Sequence, residues 1–381
     1  MPTIEITSLA HGGYGVGRVD GQVWFVPYAL PGDTVEASEA RRTKGLVWGK
    51  IESIPSPSPN RVQQPCPVFG SCGACTWLHF AYPAQLEWKQ RIVLDTLKRL
   101  GGVVPIESSV GEDPEFRYGY RTRAEFHGDG WKRGFYAEGS HDIVDIALCP
   151  LCHPKLNDAL ARLRNASVPG PVEITVNPEG DDVLIWTAKP NRRLAKTFPN
   201  AQSFDSENER ERFDFDGAPI VNGAFSQSSL LLNRVLRARV QEALGDATSV
   251  LDLYCGNGNF TLAREGEIVG LDHNRASVGA ALSMDRHDYR VGNEIDFHRI
   301  IREKAWDAIL IDPPRTGALA IMSTLAQSSA HKIVYVSCDP ATLARDAKLL
   351  SKEGWQFDHC TTVDMFPHTA HIESVNTFIR T

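Results

Sequence analysis

The sequence predicts an α/β chain with a doubly wound parallel-sheet domain at its carboxyl end, preceded by a small amino-terminal β-barrel and a β-rich central region. Three observations carry this reading. After about residue 215 short apolar runs alternate with helical segments, residues 1–55 hold five short strands punctuated by glycine and proline, and a Pro-Ser-Pro-Ser-Pro stretch at 55–59 follows them. At 381 residues the chain exceeds what one hydrophobic core usually supports. Domains are expected at 1–56, 57–214 and 215–381.

In the front unit the expected strands cover residues 4–9, 15–19, 23–30, 34–37 and 45–54, broken at Gly12-Gly13, Gly21 and Pro31-Gly32. Closing so short a sheet on itself removes its exposed edges, so a barrel of the oligonucleotide-binding type is one solution, and a generic small β domain is another. The proline stretch excludes helix and marks a connector. Apolar residues then recur at helical spacing from about 83 to 100 (Leu86, Ile92, Val93, Leu97, Leu100), with proline at the start and Gly101-Gly102 at the end. Alternating stretches at 143–147, 172–176 and 183–187 predict a second β-rich unit.

Beyond 215 the runs at 250–254, 268–271, 308–311 and 333–337 suit parallel strands buried on both faces. Helices are expected at 229–244, 275–284, 317–328 and 340–351. In such a domain ligands bind beyond the carboxyl ends of the strands.

Composition narrows the class. Net charge is −7, which is not the profile of a globally basic nucleic-acid binder. The acidity is uneven: residues 1–135 hold 15 Lys and Arg against 14 Asp and Glu, and the remainder 25 against 33. Basic clusters at Arg41, Arg42 and Lys44, at Lys89, Arg91, Lys98 and Arg99, and at Arg117, Arg121, Arg123, Lys132 and Arg133 are where a polyanion would be gripped. No apolar run is long enough to span a bilayer and no secretory leader opens the chain, so a cytoplasmic protein with no membrane partner is expected. Eight cysteines in such a length do not describe a disulfide scaffold.

The first strand of the carboxyl domain runs into Asp252-Leu-Tyr-Cys-Gly256-Asn-Gly258-Asn-Phe260, with a helical segment expected after it. Sixteen residues after Gly256 the second strand ends in Asp272, whose carboxylate can accept from both hydroxyls of a ribose. A dinucleotide site wants a third glycine to admit pyrophosphate, and position 261 is Thr, which favours adenosylmethionine over nicotinamide. The third strand ends in Asp312-Pro-Pro-Arg315. An aromatic residue in the place of Arg315 would suit methylation of an exocyclic amine. The fourth ends in Tyr335-Val-Ser-Cys338-Asp-Pro340 and sets a thiol at the same edge.

A thiol there has a chemical use. Carbon 5 of uracil is a feeble nucleophile, but thiolate addition at carbon 6 makes it reactive toward an electrophilic methyl. A base must then remove the carbon 5 proton. His368, His371 and Glu373 lie close by in sequence, and partial burial among Phe366 and Ile372 would raise Glu373 into a useful range.

The glycine turn, Ala224-Phe-Ser-Gln227-Ser, the DPPRTG loop, YVSCDPATLARD at 335–346 and the terminal HIES together resemble the RNA uracil-C5 methyltransferase family, most strongly over 220–376. The resemblance implies a class I methyltransferase domain using S-adenosyl-L-methionine, with Cys338 as nucleophile and Glu373 as base. It also implies a cofactor pocket of Gln227, Tyr254, Asn259, Asp272, Asn293 and Asp312. Two positions depart from the family pattern. Asp339 follows the nucleophile where Asn is usual and, if ionised and close, would raise the thiol; Ser229 stands where Asn is common.

Cys66, Cys72 and Cys75 lie within ten residues, and Cys149 and Cys152 follow far downstream. Four thiolates suit tetrahedral zinc or an iron-sulfur cluster equally well on spacing alone. The resemblance implies a [4Fe-4S] cluster on Cys66, Cys72, Cys75 and Cys149. With the barrel read as a TRAM domain, it also implies the branch acting on large-subunit (23S) ribosomal RNA, with the T-loop uridine 54 of transfer RNA as the alternative. A monomer is expected. The rivals are a nicotinamide or iron-sulfur redox enzyme and a catalytically silent iron-sulfur RNA-binding protein.

Overall fold

The computed structural model describes residues 1–206 and 209–380. Strands Thr3–Leu9, Gly15–Val19, Gln22–Val26, Thr34–Thr43 and Leu46–Ser56 close into a barrel, the first pairing with the fourth and the third with the fifth. Alternation places Ile4, Ile6, Trp24, Val26, Val35, Ala37 and Val47 inside. Two strands run longer than the sequence predicts, one to Thr43 and one into the proline stretch at Ser56, because they pair with each other along most of their length. Asp33, fully buried, fastens the barrel to the connector: it pairs with Arg61 at 2.6 Å and accepts from the backbone N–H of Leu30 and of Ser58.

A six-stranded central sheet runs in the order Gln202–Ser203, Val183–Thr187, Val172–Val176, Arg123–Gly128, Arg133–Tyr136 and Ile143–Asp145. Helix Pro154–Asn165 buries Leu156, Ala159, Leu160 and Leu163. The Arg123–Gly128 and Arg133–Tyr136 strands escape sequence reading because they are short and carry few large apolar residues, Ala124 and Gly128 filling inward positions of the first.

The carboxyl domain is built on an eight-stranded sheet, Asp288–Val291, Glu267–Asp272, Ser249–Leu253, Ala308–Ile311, Lys332–Ser337, Glu373–Ile379, Gln356–Val363 and Glu107–Gly111. Glu373–Ile379 runs antiparallel to both neighbours. The edge strand Glu107–Gly111 comes from far upstream, and helix Tyr82–Thr96 before it buries Trp88, Ile92 and Val93 in the same core. Chain order reverses at Ser249–Leu253, which opens a crevice beyond the strand ends there.

Two expected helices are corrected. No helix follows the glycine turn: Gly256 and Gly258 take left-handed φ of +55° and +78°, and residues 258–264 close as successive turns. The helix expected over 317–328 shrinks to Met322–Ala326, because Gly317 is left-handed and the Asp346 carboxylate takes the Ala318 N–H at 2.9 Å. Among the described residues no helix is long and apolar enough to cross a membrane.

Candidate active site

A cavity of about 1080 Å³ opens at the crevice. Gln227, Tyr254, Asn259, Asp272, Asp312, Cys338 and Glu373 all line it. Asn293 does not. Its carboxamide caps helix Glu294–Ile301, accepting from Ile295 N and Asp296 N, and Glu294 forms the wall there instead. That reciprocal cap with Asp296 was readable from the Asn-x-x-Asp spacing.

At one end of the cavity the Asp272 carboxylate accepts from Gly256 N at 3.0 Å and Asn274 N at 2.7 Å, so strand end and glycine turn lock together. An added Cβ at Gly256 would meet open space, whereas at Gly258 it would lie 2.9 Å from the Tyr289 hydroxyl, so the second glycine is needed for packing. Asn259 exchanges two amide hydrogen bonds with Asn233, at 2.7 and 3.1 Å. Tyr254 is left-handed at φ +62°, an uncommon state for a bulky residue, and its ring packs edge-on to Phe297. Asp252 is buried beneath the turn, hydrogen-bonded by the Thr261 hydroxyl at 2.6 Å, and burial pushes its carboxyl up to about 8. Ser229 is the cap of helix Leu230–Leu244, accepting from Leu232 N at 3.0 Å, which accounts for a small hydroxyl there.

The other end follows from strand register. Ser337 and Ser374 are the last pair of the antiparallel ladder, so Cys338 and Glu373 are the next residues on either strand. Ile311 pairs with Tyr335 on the parallel side, which brings Asp312 to the same edge. Cys338 is half-buried; burial, then the carboxylates of Glu373 and Asp312, push its thiol up to about 11, while Arg315 opposes them. Asp339 also raises it, as its sequence position implied, but least of the groups named; its carboxylate is occupied capping helix Pro340–Lys352. Burial raises Asp312 to about 7 and Glu373 well above the usual carboxylate range. His371 is held down near 4, mainly by burial, and its Nδ1 lies 3.4 Å from Arg315.

His368 sits behind the cavity rather than in it. Its ring Nδ1 meets Gln85, and the segment carrying it is clamped by helix Tyr82–Thr96 and the turn before it: Lys89 pairs with Asp364 at 2.6 Å and donates to Phe366 O, Tyr82 donates to Asp364, and Trp77 N, in the turn, donates to His368 O. Sequence reading missed this clamp, since Lys89 looks like one member of a basic cluster; it is fully buried.

Cys66, Cys72, Cys75, Cys149 and Cys152 are buried in one apolar cluster. Each of the first, second and fourth thiols raises that of Cys75, so the upstream and downstream thiols face one another, and Arg121 lies buried beside them. Among the described residues no group of three or more Cys, His, Asp or Glu stands in metal-holding arrangement.

Comparison with known proteins identifies relatives of the chain. Residues 275–380 match the family model described as tRNA (Uracil-5-)-methyltransferase, and residues 3–38 match the TRAM domain. The chain is 33% identical to the 23S rRNA (uracil(1939)-C(5))-methyltransferase RlmD of Methylococcus capsulatus, over 99% of this chain and 96% of that one. With the RlmD protein of Pseudomonas putida the identity is 32%, over 98% and 93%. Among solved structures it resembles the Pyrococcus abyssi tRNA (uracil-54, C5)-methyltransferase in complex with S-adenosyl-L-homocysteine, with TM-score 0.77 and 24% identity, over 99% and 100% of the two chains. That likeness shows a shared fold.

Proposed function

Because the chain belongs to the S-adenosylmethionine-dependent RNA uracil-C5 methyltransferase family, we propose that it forms 5-methyluridine in 23S ribosomal RNA with Cys338 as nucleophile and Glu373 as base. The observation that supports this most directly is the ladder register that sets a thiol and a buried carboxyl side by side at the cavity edge. The rRNA relatives, matched nearly end to end, support the choice of RNA.

S-adenosylmethionine, when bound, supplies an electrophilic methyl group and a positive sulfonium. Gln227, Tyr254, Asn259, Asp272 and Asp312 would hold it; Asn293 would act only through the start of the helix that presents Glu294. The Cys338 sulfur adds to carbon 6 of the uracil, and the π electrons of the 5,6 double bond move toward the carbon 4 carbonyl. Carbon 5, so activated, would take the methyl as the sulfonium–methyl bond breaks, its electron pair staying on the sulfur of the departing neutral thioether. The Glu373 carboxylate takes the carbon 5 proton, the double bond reforms and the sulfur departs, returning the thiolate. Before ligands arrive, burial favours neutral thiol and neutral carboxyl. Arg315 is the cation of the chain that favours both anions, and a cationic ligand in the cavity acts in the same sense.

The cysteines are read as ligands of a [4Fe-4S] cluster through Cys66, Cys72, Cys75 and Cys149. The donor set supports this: the four thiols are soft ligands buried in one apolar cluster, with the Arg121 guanidinium buried beside them. Iron and sulfide analysis of anaerobically purified protein tests it, and stoichiometric zinc would overturn it. We read the protein as a cytoplasmic monomer.

Incubation with labelled adenosylmethionine and unmodified ribosomal or transfer RNA, beside Cys338→Ala, tests the reaction by nucleoside mass spectrometry. Labelled 5-methyluridine in ribosomal RNA, lost in the variant, is expected. Labelling of transfer RNA alone would favour the second reading, methylation of uridine 54, which the Pyrococcus likeness motivates. Labelling of neither would sink both.

A further inference from the structure

A second groove, of about 290 Å³, lies on the central sheet and shares Phe225 with the large cavity. Strand register builds it. Glu125, Glu173 and Trp186 are directly opposed on successive strands, so their side chains stand in a row on one sheet face. Phe204 meets Trp186 edge-on at 5.1 Å, and the Arg210 guanidinium lies over the indole at 4.7 Å. Gly223 is left-handed at φ +67°, and a Cβ there would stand 2.3 Å from the indole. The backbone leading to Phe225 and Gln227 is therefore pressed against Trp186. Arg123 fixes the same segment from the other side, donating to Ser226 O at 3.1 Å and to Glu173 at 2.6 Å, with its guanidinium 5.7 Å from the Phe225 ring.

Two features of this groove lack a structural purpose. Phe204 and Phe225 are 69% and 67% exposed, although each is large and apolar. The lining charges are Arg123 against Glu125 and Glu173, with Arg123 already paired to Glu173 and Arg210 beside them over Trp186. A phosphate would meet carboxylates at the floor. A nucleobase would not: its faces stack on the phenyl rings and its amino or imino edge donates to a carboxylate.

We propose that this groove is a second nucleobase subsite, seating an unpaired nucleotide of the substrate RNA next to the uridine in the catalytic cavity. The inference rests on the RNA uridine reading above, and continuity through Phe225 sets the order of the two bases. With both bases held, the strand between them is extended and unstacked, which helps present carbon 6 of the uridine to the thiol.

Unmodified ribosomal RNA is the probe, and Phe204→Ala and Phe204→Trp are compared with the unaltered protein. Phe204 is mostly exposed, so neither change empties the core. The alanine variant is expected to lower kcat/KM for RNA by roughly fivefold or more, through KM, with cofactor Kd unchanged, and the tryptophan variant to retain it. Ultraviolet crosslinking of the unaltered protein is expected to attach RNA to the peptide carrying Phe204. Unchanged KM in Phe204→Ala together with an uncrosslinked Phe204 peptide overturns the subsite while methylation, still lost in Cys338→Ala, keeps the reaction. A crosslinked Phe204 peptide in a protein that methylates no RNA keeps the subsite and sinks the reaction.

Discussion

The two ends of the large cavity are built on opposite electrostatic principles. At the cofactor end Asp272 is hydrogen-bonded by backbone N–H groups, and the amide pair of Asn259 and Asn233 is mutually satisfied, so this end is assembled before any ligand enters. At the reacting end Cys338, Asp312 and Glu373 lie close together, and burial and neighbouring carboxylates push each toward its neutral form. On the proposed function, one end would recognise its ligand through groups already held in place, and the other would gain reactivity as charge of opposite sign arrives. Such an arrangement protects a nucleophilic thiol from stray electrophiles while the site is empty.

Substitutions that touch one end alone should separate the two. The largest effect is expected from Cys338→Ala, which should lower 5-methyluridine formation by roughly 10³-fold or more while leaving cofactor affinity intact by calorimetry. A comparable loss of cofactor binding would mean the ends are not independent. Next comes the clamp behind the reacting end. Lys89→Met strands a buried carboxylate and should destabilise the protein by about 3–5 kcal/mol, read from the urea midpoint, and adding Asp364→Leu should recover most of it.

Asp272→Ala is the counterpart at the cofactor end. Losing hydrogen bonds to a charged group, about 1.5–3 kcal/mol, should raise cofactor Kd roughly tenfold to 150-fold, with turnover at saturating cofactor little changed. The smallest effects are on the ionisation of Cys338. Its alkylation by iodoacetamide, followed on the Cys338 peptide without ligands, should rise only well above the pH of an ordinary cysteine. Glu373→Gln removes a neighbouring anion and should move that rise to lower pH; Arg315→Ala removes the opposing cation and should move it higher. Shifts of the reverse sign would contradict the electrostatic assignment.

The two ends also differ in how far the sequence reveals them. Asp272, Asp312 and Cys338 follow directly on apolar strands, and a parallel strand delivers whatever follows it to one edge, so their convergence is legible from local pattern. Glu373 belongs to a strand that returns antiparallel, and its position depends on Lys89 and Gln85 nearly three hundred residues upstream. Asn293 differs in another way: its carboxamide caps helix Glu294–Ile301, a local role the Asn-x-x-Asp spacing carries beside the one its motif position implies. The groove beside Phe225 was invisible because Trp186, Phe204 and Arg123 are brought together only by sheet register and a glycine turn.

The central claim, a Cys338 adduct at carbon 6 resolved by removal of the carbon 5 proton, is tested most directly with RNA carrying 5-fluorouridine. Fluorine at carbon 5 cannot leave as a proton, so addition and methyl transfer should proceed and the last step stall. Intact mass and peptide mapping are expected to find a methylated fluorouridine attached to Cys338, formed only when adenosylmethionine is present. Methylation of ordinary uridine with no such adduct, or an adduct on another residue, would contradict it.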